Sequence, residues 1–175
     1  HGYQVWVDLP KDKEEMAPNF VFLPKEQLPQ WEEDGISITL VAGEGYGRQS
    51  PLPVYSPLFM LDAFAADAGT LDIKGQLKGE IALVVVEGGV QVEEEEVAPG
   101  QMLIAKTEEE CCADIQAGTR LLIFGGQVFP EERFLYWNFV SSDPEKIEQA
   151  KADWAAREFP KVPGDDTYIP LPPKR

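Results

Sequence analysis

The sequence predicts an all-β sandwich or barrel with one C-terminal α-helix and extended arms at both ends. Three observations carry this. Between Ile36 and Gly126, short apolar stretches recur between Gly, Pro and Asp residues, with no helical period among them. The runs "ALVVV" and "LLIF" are apolar without interruption, the pattern of central strands covered on both faces. A strong helix signal occurs once, after Ser142.

In chain order, "YQVWVDLP" reads as a strand ended by Pro10. Lys11 to Gly35 is irregular and rich in Pro and Glu; within it "NFVFLP" reads as an edge strand, because Pro24 cannot donate to a ladder. "ISITLVAG" alternates Ile36, Ile38 and Leu40 against Ser37 and Thr39, and "LFMLDAFA" follows a Pro-rich loop. "IALVVVE" and "VQVEE" flank Gly88-Gly89, a two-residue hairpin signal. "QMLIAK" follows the turn "APG", "CCADIQ" precedes the turn "AGT", and "RLLIFGG" closes the series. Strands so spaced fit a sandwich or barrel.

"RFLYWNFVSSDPEKIEQAKADW" then runs an aromatic strand into the helix. Alternation along one strand places Leu135, Trp137 and Phe139 on one face and Phe134, Tyr136, Asn138 and Val140 on the other. Ser142 is the expected N-cap, with Glu145 three residues on as the capping-box partner. Asp143 and Pro144 suit the first turn. Ile147, Ala150 and Trp154 form the stripe that would cover the strand. Asn138 is expected to satisfy backbone groups at the junction, and Arg133 to pair with Glu131 or Glu132. The stretch therefore reads as a structural plug, not a pocket.

Composition excludes several function classes. With 31 acidic and 15 basic residues the net charge is −16, which opposes binding to a nucleic-acid backbone or an anionic membrane. No apolar run approaches the roughly 20 residues needed to cross a bilayer. The start, "HGYQVWVDLP", has no initiator Met and no leader pattern, so a piece of a longer chain without a signal peptide is expected. Cys111 and Cys112 are neighbours whose side chains diverge in a strand, which fits free thiols and a cytoplasmic location. The acidic runs Glu93 to Glu96 and Glu108 to Glu110 read as solvated rims.

The chemistry-bearing residues are sparse. The single histidine is His1, whereas zinc and non-haem iron sites draw on two or three imidazoles. Histidine-based triads are excluded for the same reason. No phosphate-binding or dinucleotide motif occurs, and "GEGYGRQS" precedes no helix. Asp62 and Glu80, within or beside apolar strands, are the carboxylates whose placement matters; each reads as a hydrogen-bonded or rim group. No catalytic, cofactor-binding or metal-binding residue is assigned.

"GGQVFPEERFLYWNFVSSDPEKIEQAKADW", followed by "FPKVPGDDTYIPLP", resembles the C-terminal signature of the pirin family. Arg133, Tyr136, Trp137, Asn138, Phe139, Ser142, Glu145 and Trp154 carry it. "HGYQVWVDLP" is similar to the segment joining the two halves of a pirin. The resemblance implies a bicupin, with one non-haem iron held by histidines and a glutamate in the N-terminal cupin. Some bacterial members are described as quercetin 2,3-dioxygenases and others as regulators acting through partner proteins. This chain then corresponds to the C-terminal, jelly-roll cupin half: residues 1–19 a joining strand and linker, 20–130 the barrel, and 131–175 the aromatic strand, a helix at about 143–157 and a Pro-rich arm.

Cupin ligands come from a His-x-His pair before a strand and a later His after a Pro-x-Gly turn. Here "DIKGQLKGE" (Asp72 to Glu80) has no His, and Leu103 stands at the later position. The expectation is a metal-free, non-catalytic domain with a packed interior, supporting an iron-binding N-terminal cupin as its partner. The alternatives are one part of a flavonol-oxidising enzyme active only at full length, and an acidic module that docks a protein partner.

Overall fold

Alternation along β2 (Ile36–Gly45) turns Ile36, Ile38 and Leu40 to one face, where none exceeds 2% exposure. That face is one wall of the core. The computed structural model describes residues 2–92, 94–105 and 112–173. His1, Glu93, the Glu108 to Glu110 run and Cys111 lie outside the described residues. The chain forms two compact units: one from Ala17 to Val128, the other from the residues up to Met16 together with those from Phe129 onward.

In the Ala17–Val128 unit, β1 (Gln30–Glu33), β2, β4 (Leu58–Ala65), β11 (Thr119–Gly126), β6 (Glu80–Glu87) and β9 (Met102–Ala105) form one sheet in that order, with β3 (Arg48–Gln49) added to β2. A second sheet runs β5 (Gly69–Asp72), β10 (Cys112–Ile115), β7 (Val90–Val92), β8 (Glu95–Val97). The pairings in both sheets are antiparallel. Leu61, Val85, Leu121 and Ile123 from the larger sheet and Leu71, Val90 and Ile115 from the smaller join one buried cluster. Each fully buried Leu, Ile or Val is worth roughly 1.5–3 kcal/mol. By comparison the half-exposed Arg120–Asp62 pair on the outer face is worth about 0–1 kcal/mol. Apolar burial between the sheets therefore sets the stability of this unit.

Three expectations are corrected here. Gly88-Gly89 closes no hairpin: β6 lies in the larger sheet and β7 in the smaller, so these glycines carry the chain from one sheet to the other. Gly88 has φ +79°, and a Cβ on it would lie 2.2 Å from Thr119 Oγ1. The buried Thr119 hydroxyl accepts the Gly89 N–H (3.1 Å) and donates to the Gly89 carbonyl (3.2 Å). "NFVFLP" forms no strand, and Phe20 and Phe22 are exposed. The edge is instead β1, "QWEE", hairpinned to β2 through Asp34 (φ 48°) and Gly35 (φ 79°). Asp-Gly is itself a strong hairpin signal. Likewise "YQVWVDLP" pairs with no strand among the described residues.

In the other unit, the expected single aromatic strand is a hairpin, β12 (Phe134–Tyr136) and β13 (Phe139–Ser141), turning at Trp137-Asn138. Trp137 takes φ 51°, so the strict alternation expected across it fails. Helix α1 (Pro144–Ala156) follows and ends at Arg157 in the left-handed conformation. Its N-cap is Asp143, whose carboxylate accepts the Glu145 N–H (2.9 Å), rather than Ser142. The extended, proline-rich arm beyond it forms no helix or strand up to residue 173. Among the described residues no helix is long and apolar enough to cross a membrane.

The crossover yields a prediction. Thr119→Val leaves the Gly89 N–H without its buried partner, while the Gly89 carbonyl keeps the Gln116 N–H at 3.0 Å, and should cost about 1–3 kcal/mol. Gly88→Ala should cost roughly 1–3 kcal/mol through backbone strain alone, with the clash in addition. Urea midpoints within error of the parent for both variants would contradict this account.

Candidate functional site

The place where a sandwich of this kind could hold a ligand is the space between its sheets. Leu103 and Ala105 on β9, Ile81 and Leu83 on β6, Val92 on β7 and Leu71 on β5 line it, with Ile73, Cys112 and Ala113. The free space is about 10 Å³, room for at most one water. Leu103 turns inward at the position where the sequence comparison with cupin patterns looked for an imidazole. Cys112 is the one lining side chain with a donor atom, and a single thiol does not make the set of imidazole and carboxylate donors that non-haem iron takes. Among the described residues, no three His, Cys, Asp or Glu side chains converge. The lining does not fit a metal.

The two carboxylates singled out from sequence stand outside this interior. Asp62 alternates with the buried Leu61 and Ala63 and meets Arg120 Nη1 at 2.7 and 2.9 Å on the outer face of the larger sheet. The Arg120 guanidinium lies 5.5 Å from the centre of the Phe64 ring. Glu80 is exposed at the start of β6. The two are not brought together as an acid–base pair. An open surface recess of about 1370 Å³ lies between the β2–β3 hairpin and the Pro51 to Pro57 loop, with Arg48, Gln76 and Lys78 on its walls.

The signature residues gather in the other unit. Trp137 turns its ring onto Trp154 (centroids 5.3 Å) and Phe139 (5.7 Å). Phe159 and Tyr168 complete the cluster around Trp154 at 5.4 and 5.7 Å. Trp154 Nε1 donates to the Ile169 carbonyl (2.8 Å), which ties the C-terminal arm to the helix. Tyr136 stacks under Lys151 at 4.6 Å, and its hydroxyl donates to the Pro172 carbonyl at 3.4 Å. Asn138 is exposed at the turn and Leu135 is 71% exposed, while its cross-strand partner Val140 is half-buried. Edge-to-face rings of this kind add about 0.5–1.5 kcal/mol per pair beyond their buried area. The cluster has the chemistry of a clasp.

Arg133 does pair with Glu131 (3.6 Å), but its chief partner is Asp8, which its Nε contacts directly. It also donates to the Leu9 carbonyl (3.3 Å) and stacks on Phe129. Glu14 makes a second link: it accepts the Ser141 hydroxyl (2.7 Å) and the Ser142 N–H (2.8 Å), and stands 3.7 Å from Lys146. Burial alone would raise the Glu14 carboxyl, but the Ser141 and Ser142 hydrogen bonds and Lys146 outweigh it and lower it from 4.5 to about 2. Sequence reasoning missed Asp8 and Glu14. No local pattern marks either, because their partners lie 125 and 127 positions away.

Comparison with known proteins bears on both units. The family model of the pirin C-terminal cupin domain matches residues 60–160. The chain is 38% identical over 175 residues to a pirin-like protein of Caulobacter vibrioides, spanning 98% of this chain and 59% of that protein. It is 23% identical over 161 residues to pirin of Homo sapiens, spanning 88% and 55%. A solved structure of quercetin 2,3-dioxygenase from Acinetobacter baumannii superposes with a TM-score of 0.87 at 27% identity, over 97% of this chain and 57% of that one. The chain thus spans between half and three fifths of these relatives' length.

The Glu14 contact yields a pH prediction. A carboxylate with a lowered folded pKa stabilises above its unfolded value, and the contribution is lost as pH falls through the folded one. Glu14→Gln should therefore destabilise by about 1.5–3 kcal/mol at neutral pH, the usual worth of hydrogen bonds to a charged group. The gap between parent and variant should close as pH drops from 4.5 towards about 2. A gap constant across that window, measured by denaturant titration, would refute the assignment.

Proposed function

The chain belongs to the pirin family as its C-terminal cupin portion, and on that premise we propose that it is a metal-free, non-catalytic domain. Its role in the full-length protein is to support and wall an iron-binding N-terminal cupin. The observation that carries this reading is the apolar lining of the interior, where Leu103, Leu83, Ile81 and Ala105 leave about 10 Å³. A cupin that binds a substrate needs a cavity and ligating donors; this one spends the same space on hydrophobic core. What remains for it to contribute is surface and rigidity.

The activity of the whole protein follows as a second part of the proposal. The superposable neighbour bears the name quercetin 2,3-dioxygenase, which supports oxygenation of a flavonol by the full-length protein with iron in the other half. This chain's own residues would take no part in the bond-breaking steps.

Elemental analysis of the purified chain should find iron, copper and zinc far below one equivalent, and stoichiometric metal would contradict the proposal. Flavonol turnover should be measurable in the full-length iron-loaded protein and absent from this chain alone. Turnover by this chain would overturn the division of labour.

A further inference from the structure

The open recess between the β2–β3 hairpin and the Pro51 to Pro57 loop is braced by its own backbone. The Tyr46 N–H donates to the Gln76 carbonyl (3.0 Å) and ties the β2–β3 turn to the β5–β6 loop. The Gln127 N–H donates to the Pro57 carbonyl (3.0 Å) and ties the end of β11 to the proline loop. At the start of that loop the buried Ser50 hydroxyl donates to the Val41 carbonyl (2.8 Å) and accepts the Leu52 N–H (3.2 Å). Pro51, Pro53 and Pro57 fix three φ angles at about −65°. Walls held in this way lose little conformational freedom when a ligand binds.

The charge of the recess runs against that of the chain. Its charged lining residues are Arg48, Lys78 and Glu44, a net positive lining on a molecule of net charge −16. Among the described residues neither Arg48 nor Lys78 has a carboxylate within ion-pair reach. Arg48 is held in place without being neutralised: its guanidinium lies 4.4 Å from the centre of the Trp31 ring and donates to the Tyr46 carbonyl at 3.0 Å. A guanidinium carries five N–H donors in a planar fork, which leaves others for a carboxylate. Beside these cations the proline loop is apolar, with Val54 37% and Tyr55 38% exposed. Asn19 Nδ2 donates to the Tyr55 hydroxyl at 3.4 Å, so the segment carrying the exposed Phe20 and Phe22 starts next to it. Aromatic side chains with arginine are the composition enriched where proteins bind one another.

We propose that this recess binds an extended acidic peptide segment of another protein, with carboxylates on Arg48 and Lys78 and an apolar side chain against Val54 and Tyr55. At about 1370 Å³ the recess exceeds the roughly 300–1,000 Å³ of sites that enclose a small molecule. At physiological salt the field of an exposed charge fades over about 8 Å, so the charges on the walls govern a short segment. A nucleic acid fits less well, because two cations do not offset the repulsion between its many phosphates and this chain. An acidic segment of a second copy would bring a further net charge of −16 with it.

Fluorescence anisotropy of a labelled decapeptide of alternating glutamate and leucine, titrated with the full-length protein, tests this. Saturable binding is expected. Lys78→Glu and Arg48→Gln should each weaken it by at least about fivefold. Lys161→Glu makes the same charge change outside the recess and should alter it by less than about twofold. Lys78 is exposed, so Lys78→Glu should keep the parent Tm, and its loss of affinity then belongs to the site. Raising NaCl from about 0.05 to about 0.5 M should weaken binding by at least about fivefold. Absence of binding to the full-length protein overturns the proposal, including the case in which the rest of that protein covers the recess. Equal affinity for the lysine–leucine counterpart overturns it too, as does an equal loss in Lys161→Glu. Displacement of the peptide by free glutamate at the same carboxylate concentration would mark a small anion as the ligand. Peptide binding lost as the protein self-associates, followed by sedimentation, would mark a second copy, and either result contradicts the proposal. No metal enters this binding, so it can fail while the metal-free reading stands, and the reverse.

Discussion

Two antiparallel sheets with one apolar face each must bury those faces against each other, and most of the Ala17–Val128 unit follows from that requirement. Ile36, Leu40, Leu61, Leu121 and Ile123 on one sheet meet Leu71, Val90 and Ile115 on the other with almost no space left. Close packing of this kind is intolerant of polar groups, because each buried donor or acceptor must find a partner. The buried Thr119 hydroxyl satisfies the condition by serving both backbone groups of Gly89 at the crossover between sheets. Carboxylates are kept outside, Asp62 on Arg120 and Glu80 in solvent. The residues that line the space between the sheets are apolar apart from the Cys112 thiol.

The second unit is assembled by different forces. Its apolar content is a ring cluster around Trp154, and its connections are charged: Asp8 to Arg133, and Glu14 to Ser141, Ser142 and Lys146. Both charged links join the residues up to Met16 to those from Phe129 onward, which together form one unit. Half-buried ion pairs with added hydrogen bonds are worth more than exposed ones, and they fix direction as well. They leave the arm before Asp8 extended and its apolar side chains uncovered.

Much of this was legible in the sequence where the signal is local and periodic. Ile36-Ile38-Leu40 and the runs "IALVVVE" and "RLLIF" marked buried strands, and "SSDPEKIEQ" marked the helix to within a residue. Signals that need a partner were not legible. Gly88-Gly89 announces a turn but not which sheet the next strand joins. "QWEE" has no apolar alternation, and only Asp34-Gly35 marks its hairpin. Trp137 at φ 51° is not a residue that turn chemistry favours, which hid the hairpin inside the aromatic stretch. At the candidate site the absence of histidine was plain, but the inward turn of Leu103 required the barrel to be built.

The account rests on the claim that the interior of this cupin has no affinity for metal. Thermal unfolding of the purified chain, under anaerobic conditions, with excess Fe(II) and again with a chelator, tests it most directly. Any ligand bound by the folded chain and not the unfolded one raises Tm with its concentration. The account predicts the same Tm in both solutions. A Tm that climbs with Fe(II) and falls back on chelation would contradict it.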